Sequence, residues 1–178
     1  VNAIKNTKAK KAIVLPNNKN IFLAAEQAAK VVDITTVIVH SKTISKGITA
    51  MLGFNPENSL EDNQKAMEDN LPTVKSGQVT TAIRDTKIDN LEIKKDQFMG
   101  IVDCDIATVG DDLIDTAVKM GKKMLEEDSE AITIIYGEDT DKSTAEKVQE
   151  GILKLDDELE VEIHEGDQPV YPFLISVE

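Results

Sequence analysis

Two short runs without polar alternation, residues 11–15 (KAIVL) and 35–39 (TTVIV), stand about twenty residues apart with one amphipathic stretch between them. Runs without polar alternation belong to strands buried on both faces, as in parallel sheets. Parallel neighbours need a crossover of a dozen or more residues, usually a helix. Residues 20–32 supply it. Ile21, Ala25, Ala28 and Val32 fall on one face, with Phe22 and Ala29 beside them. Pro16 stops the first strand, and residues 17–20 (NNKN) give a turn with a capping residue. The spacing therefore predicts a parallel βαβ layer. Residues 1–7 before it read as the last turns of a helix. After it, residues 41–45 lead into a helical stretch over 45–53, which Asn55-Pro56 breaks. A further helix over 59–71 takes Ser59 as its N-cap, sets Leu60, Met67 and Leu71 on one side, and ends at Pro72.

The remainder has a different texture. Residues 78–86 (QVTTAIRDT) alternate like a half-buried strand, Asp89-Asn90 is a turn, and 91–94, 98–102 and 106–109 read as short strands of an antiparallel meander. Asp111 and Asp112 open a long helix to about 127, striped by Leu113, Ile114, Ala117, Val118, Met124 and Leu125. Residues 131–136 (AITIIY) form a buried strand. A helix over 142–155 follows, with Ala145, Val148, Ile152 and Leu155 inward and a Ser143/Glu146 capping box. Residues 160–164 and 172–177 are the last strands. The expected architecture is α/β in two subdomains: a parallel βαβ layer over 1–72, incomplete at its N-terminus, and a mixed or antiparallel sheet with packed helices over 73–178.

Charge divides the chain more sharply than hydropathy does. The net charge is −13, yet residues 1–50 carry +6 and residues 111–178 carry −14. This balance disfavours nucleic acid and anionic membranes; it fits a solvated acidic surface that keeps the protein soluble, and also a docking face for a partner with a basic surface. Aromatics are 3% of residues and Trp is absent, so base-stacking platforms are not available. Arg84 is the single arginine, which excludes a guanidinium cluster for phosphates. One cysteine and two histidines exclude an internal disulfide and a Cys- or His-rich metal centre. No apolar run approaches a membrane span and no segment reads as a signal peptide; the expected location is cytoplasmic, without membrane insertion.

Catalytic motifs are missing from the pattern. Asp103-Cys104-Asp105 flanks a thiol with two carboxylates, but with no histidine nearby it reads as a hairpin turn. Ser41 and Ser45 precede Gly47 at the end of a parallel strand, where open α/β sheets bind ligands and where helices are also capped. Residues 137–141 occupy the position of a phosphate loop but carry Glu138, Asp139 and Asp141, which repel phosphate. No Walker, dinucleotide, nucleophile-elbow or zinc motif occurs. Neither catalytic residues nor a metal or other cofactor are expected. His40 and His164 lie at strand ends, outside any motif that would link a dihydroxyacetone-type substrate.

Three segments together resemble a known family: residues 13–21 (IVLPNNKNI), residues 83–94 (IRDTKIDNLEIK), and Gly137-Glu138-Asp139 with residues 166–178 (GDQPVYPFLISVE). They are similar to the C-terminal domain of the large subunit of bacterial fatty acid kinase, which is a dihydroxyacetone-kinase-like protein, over essentially the whole chain. The resemblance implies a domain without ATP or Mg²⁺ ligands, whose catalytic residues lie in other domains of the same kinase chain. It implies, as partner, a fatty-acid-binding protein with a basic surface, docked through an acidic groove. Relatives carry a further strand and helix before the position of Val1, so this chain resembles a piece of a longer one. Where relatives tend to place Gly in the hairpin after Asp103, this chain has Cys104, a strained choice if that position needs positive φ.

Residues 41–51 (SKTISKGITAM) also resemble, more distantly, the Ser/Thr turn that holds a fatty acid carboxylate in the DegV family. That likeness implies a DegV-like fold and gives a rival role, binding of a fatty acid or small anion by Ser41, Thr43 and Ser45. For docking, the candidates are acids at loop and helix starts: Asp111, Asp112, Glu138, Asp139, Asp141, Glu165 and Asp167.

Overall fold

A computed structural model describes residues 1–88 and 91–178. The expected turn at Asp89-Asn90 lies outside the described residues. The chain forms two compact units, residues 1–74 and 75–178.

In the first unit, α1 (Asn2–Asn6) precedes β1 (Lys11–Val14), α2 (Phe22–Lys30) and β2 (Thr35–Ile38). β1 and β2 pair in parallel with Lys11 opposite Thr35 and Val14 opposite Ile38, as the two runs predict. The Asn18 side chain accepts from the Asn20 N–H at 2.9 Å and starts the single 3₁₀ turn that runs into α2. α3 (Ile44–Met51) and α4 (Leu60–Asp69) follow, the latter capped by Ser59, whose hydroxyl accepts from the Asp62 N–H at 3.0 Å. The core is small: Val39, Ala50 and Met67 are buried, with Ile13, Leu15 and Leu71 against them. One expectation fails here. α2 buries none of its residues, and Ile21, assigned to its inward face, is exposed. A two-stranded sheet is too narrow to cover a nine-residue helix.

The second unit is a six-stranded sheet in the order β7-β6-β3-β10-β8-β9. Its strands are β3 (Lys75–Thr81), β6 (Phe98–Val102), β7 (Asp105–Gly110), β8 (Ala131–Tyr136), β9 (Glu160–Glu165) and β10 (Phe173–Val177). β4 (Thr86–Ile88) and β5 (Leu91–Ile93) pair antiparallel as a separate two-stranded sheet. Every pair in the sheet is antiparallel except β8 with β9. α5 (Leu113–Met124) and α6 (Lys142–Leu153) cover one face. They bury Met120, Met124, Val148 and Ile152 against Val79, Ile132, Ile134, Phe173 and Ile175. Each of these large side chains contributes about 1.5–3 kcal/mol by leaving water.

Three sequence expectations are corrected. The strand expected over 78–86 begins at Lys75 and ends at Thr81, and the chain then bends before β4. Leu155 lies past the end of α6 and is exposed. Asp141, not Ser143, caps α6, accepting from the Thr144 N–H at 2.7 Å, while Glu146 reaches Lys142 at 3.9 Å. The turn between β6 and β7 is Asp103-Cys104, with Val102 paired to Asp105. Both residues have positive φ, 47° and 83°, as a tight hairpin turn of the primed type demands, and Cys104 stands where Gly is cheapest.

Candidate functional site

The strand order decides what the acidic residues can do. Four antiparallel steps lead from β7 to β8, so these two strands run the same way, and β9 runs with β8. The C-terminal ends of β7, β8 and β9 therefore lie at one end of the sheet. Asp111 and Asp112 follow β7, Glu138, Asp139 and Asp141 follow β8, and Glu165 and Asp167 close β9. All seven expected acids are exposed at that end. From β7 to β9 they span about 24 Å at the usual strand spacing.

Local chemistry fixes some of these acids and leaves others free. Asp112 caps α5, accepting from the Asp115 N–H at 2.7 Å. Asp111 accepts from Gln97 Nε2 at 2.8 Å. Asp141 caps α6 and also accepts the Thr144 hydroxyl at 2.9 Å. The backbone N–H and then the hydroxyl of Thr144 hold its carboxyl below the usual range. These three have structural duties as well as charge. Among the described residues the side chains of Glu138, Asp139 and Asp167 make no ion pair, so their charge faces solvent. Burial, and then the neighbouring Glu165 and Asp141 carboxylates, push the Tyr136 phenol above its ordinary pKa.

Two loops meet at this end, 137–141 and 166–172. The Gly137 N–H donates to Pro172 O at 3.0 Å and the Glu138 N–H to Gln168 O at 3.1 Å. The Gln168 amide donates to Ile135 O at 3.2 Å and Tyr171 O at 3.1 Å. A Cβ on Gly137 would stand 2.5 Å from the carbonyl oxygens of both Gln168 and Tyr171, so only glycine allows this approach. The glycine that resembles a phosphate loop by position thus serves loop packing.

The sequence reading missed the other end of the sheet. There Glu127, Asp128, Glu130, Asp156 and Glu158 line a cleft of about 300 Å³. The −14 of residues 111–178 is the signal that contained them. Cations temper this end: Lys75 pairs with Glu126 at 2.5 Å, and Lys122 and Lys123 occupy the last turn of α5. Among the described residues no group of three or more His, Cys, Asp or Glu is placed to hold a metal ion.

In the first unit the three expected ligand hydroxyls are all buried. Ser41 Oγ donates to Pro16 O at 2.8 Å, which ties the end of β2 to the end of β1. Thr43 caps α3 through the Lys46 N–H at 3.2 Å, and Ser45 lies in the first turn. Two cavities of this unit bear on those hydroxyls. One, of about 340 Å³, is lined mainly by apolar residues of β1, α4 and the segment between α3 and α4. The other, of about 450 Å³, is lined by His40, Lys42, Lys46, Glu68, Leu71 and Pro72. Ser41, Thr43 and Ser45 line neither. His40 sits between two carboxylates, Nε2 at 3.0 Å from Glu26 and Nδ1 at 3.3 Å from Glu68, with Phe22 edge-on. No helix is long and apolar enough to cross a membrane among the described residues.

Comparison with solved structures establishes the fold. A DegV family protein from Corynebacterium glutamicum superposes with a TM-score of 0.65 at 17% identity, covering 99% of this chain and 76% of that one. The fatty acid kinase B3 protein of Streptococcus pneumoniae, solved loaded with linoleic acid, gives 0.63 at 11% identity, covering 96% and 72%. Among curated proteins, uncharacterized proteins of Staphylococcus epidermidis and of Staphylococcus aureus strain bovine RF122 are 46% and 43% identical over all 178 residues. Those residues are 32% of each relative, so the chain spans about a third of the length of the curated relatives it matches. The family model for the C-terminal region of FakA-like fatty acid kinase subunits matches residues 1–178, and the chain belongs to that family.

Proposed function

We propose that this chain is the non-catalytic docking domain of a cytoplasmic fatty acid kinase. It receives a fatty-acid-loaded binding protein on the acidic end of its second unit and presents the acyl carboxylate to catalytic domains elsewhere in the same polypeptide. The phosphorylated fatty acid would then feed lipid synthesis. The observation that carries this reading is the convergence of acids from the ends of β7, β8 and β9 on one rim, in a unit with eleven basic and twenty-six acidic residues. Like-charged side chains gathered without ion pairs repel one another, and a cationic partner relieves that repulsion. Such complementarity raises the encounter rate and fixes orientation. The family supports the kinase context, and the fatty acid kinase B3 neighbour exemplifies a protein of this fold loaded with a fatty acid.

The test is calorimetric binding of the full-length protein to a fatty-acid-loaded DegV-family binding protein at 50 and 300 mM salt. Docking predicts binding that weakens as salt rises, because the Debye length shortens. Glu138→Lys with Asp139→Lys should weaken it further at low salt. Salt-independent binding, or none at 50 mM, overturns the reading.

A second reading has one observation in its favour. The 450 Å³ cavity places Lys42 and Lys46 beside the N-terminus of α3, a setting suited to an anion. In that case the domain itself binds a fatty acid or small anion, and the carboxylate meets the lysines. Ser41, whose hydroxyl is given to Pro16, takes no part. Titration with a fatty acid alone, in the absence of any partner protein, separates the two readings.

A further inference from the structure

Between the two acidic flanks of the second unit the sheet end carries two exposed apolar side chains. Val170 is 62% exposed and Ile83 is 86% exposed. They come from neighbouring strands: β3 leads out to Ile83, and Val170 leads in to β10, which pairs with β3. The Thr80 hydroxyl donates to Val170 O at 3.2 Å, fastening the two segments together. Asp111 and Asp112 lie on the β7 side of this pair, and Glu138, Asp139, Glu165 and Asp167 on the β8–β9 side.

Val170 is costly where it stands. Its φ is 74°, a left-handed conformation that a β-branched residue adopts only under constraint. Glycine or asparagine would satisfy that backbone at lower cost. The constraint comes from the Gln168 amide, which donates to Ile135 O and Tyr171 O, and from Pro172 O, which accepts the Gly137 N–H. At 62% exposure the residue lies mostly in water, so burial does not account for an isopropyl group at this backbone conformation. An apolar side chain held out rigidly between charged flanks is the arrangement of an interface anchor, with an apolar centre and a polar rim. Rigid presentation also lowers the entropy lost on binding.

We infer that Val170 and Ile83 form the apolar anchor of a protein-docking surface, and that its partner is a protein presenting a shallow apolar depression rimmed by Lys and Arg. This rests on the docking reading above and adds the contact that holds the partner once charge has brought it in. The anchor and the rim differ in their response to salt. Charge steering fades as salt rises, whereas an apolar contact does not.

The experiment compares the full-length protein with its Val170→Gly, Val170→Asn and Ile83→Ser variants, against the same fatty-acid-loaded DegV-family protein at 50 and 300 mM salt. Glycine and asparagine both suit the backbone, so thermal melts should show both variants as stable as the native protein or more so. Either Val170 variant should weaken binding about tenfold at both salts, chiefly through faster dissociation, and Ile83→Ser should do the same. Native-like affinity in all three variants, with the native protein still binding in a salt-sensitive way, overturns the anchor and leaves the docking reading standing. No binding by the native protein overturns both. A loss of affinity confined to low salt also overturns the anchor, since it marks an electrostatic effect.

Discussion

Tyr136 and Glu165 are the last residue pair in register between β8 and β9, and the Glu165 carboxylate favours the protonated form of the Tyr136 phenol. The phenol therefore reports the negative field at the proposed docking rim. Burial is the larger cause of its raised pKa, with Glu165 next and Asp141 smaller. In a Tyr171→Phe background, ultraviolet titration should place the Tyr136 midpoint above 10.0. Adding Glu165→Gln should lower that midpoint without abolishing the shift. A midpoint unmoved by Glu165→Gln would mean that the carboxylate does not act on the ring.

His40 is held from both ring nitrogens, by Glu26 on α2 and Glu68 on α4. The hydrogen bond to Glu26 raises its pKa above 6.5; burial opposes this, and Glu68 adds to the rise. Lys42 and Lys46 line the same cavity. A raised folded-state pKa gives stability that is complete below 6.5 and is lost as pH rises through the raised value. Because the groups are partly exposed and screened, the gain is about 0.5 kcal/mol. The His40 ring resonance should titrate above 6.5 by NMR. The fall in the urea midpoint of the first unit between pH 6 and pH 8 should be smaller in His40→Asn. A ring midpoint at or below 6.5 would contradict the clamp.

The Asp103-Cys104 turn stores strain at a position where glycine is cheap. Cys104 has φ 83°. Cys104→Gly should stabilise the second unit by about 1 kcal/mol, measured by urea unfolding in reductant. Cys104→Ala keeps a Cβ and should gain little. Equal gains from the two variants would assign the effect to the thiol and not to the backbone.

These examples show which parts of the fold are readable from the sequence. β1, β2 and β8 are legible as short runs rich in Ile and Val, although in the fold β1 is only half-buried and β8 alternates between buried and half-buried residues. β3 begins three residues before its alternation shows, because Ser76 and Gly77 are polar or featureless yet buried. Gly77 is there because a Cβ would meet Met124 Sδ at 2.5 Å and Met120 Cε at 2.8 Å, a packing demand no local pattern announces. The capping role of Asp141 is masked by a Ser143/Glu146 motif that is equally plausible in sequence. Each acidic segment is legible in isolation. Their meeting at one end is not, because it depends on the last strand, β10, inserting between β3 and β8. Val170 and Ile83 are invisible for a similar reason: exposure is a property of the assembled sheet end, and a lone valine in a Pro-flanked loop carries no signal.

Gly137 supplies the test that separates loop architecture from surface charge. Its missing side chain lets the 137–141 loop approach the carbonyls of Gln168 and Tyr171, and those are backbone atoms that cannot swing aside. Gly137→Ala should cost about 1–3 kcal/mol by overpacking. It should also speed hydrogen exchange at the Glu138 and Gly166 amides, which donate to Gln168 O and Tyr136 O. Since the same loops carry Glu138, Asp139, Asp167 and Val170, partner affinity should fall with the loss of order. Glu138→Lys with Asp139→Lys should lower affinity with stability equal to or slightly above the native protein's, because both side chains are exposed, make no ion pair among the described residues, and sit among like charges. If Gly137→Ala loses stability but keeps full affinity, the rigid display of these loops is irrelevant to docking, and the partner must be held elsewhere on the sheet end.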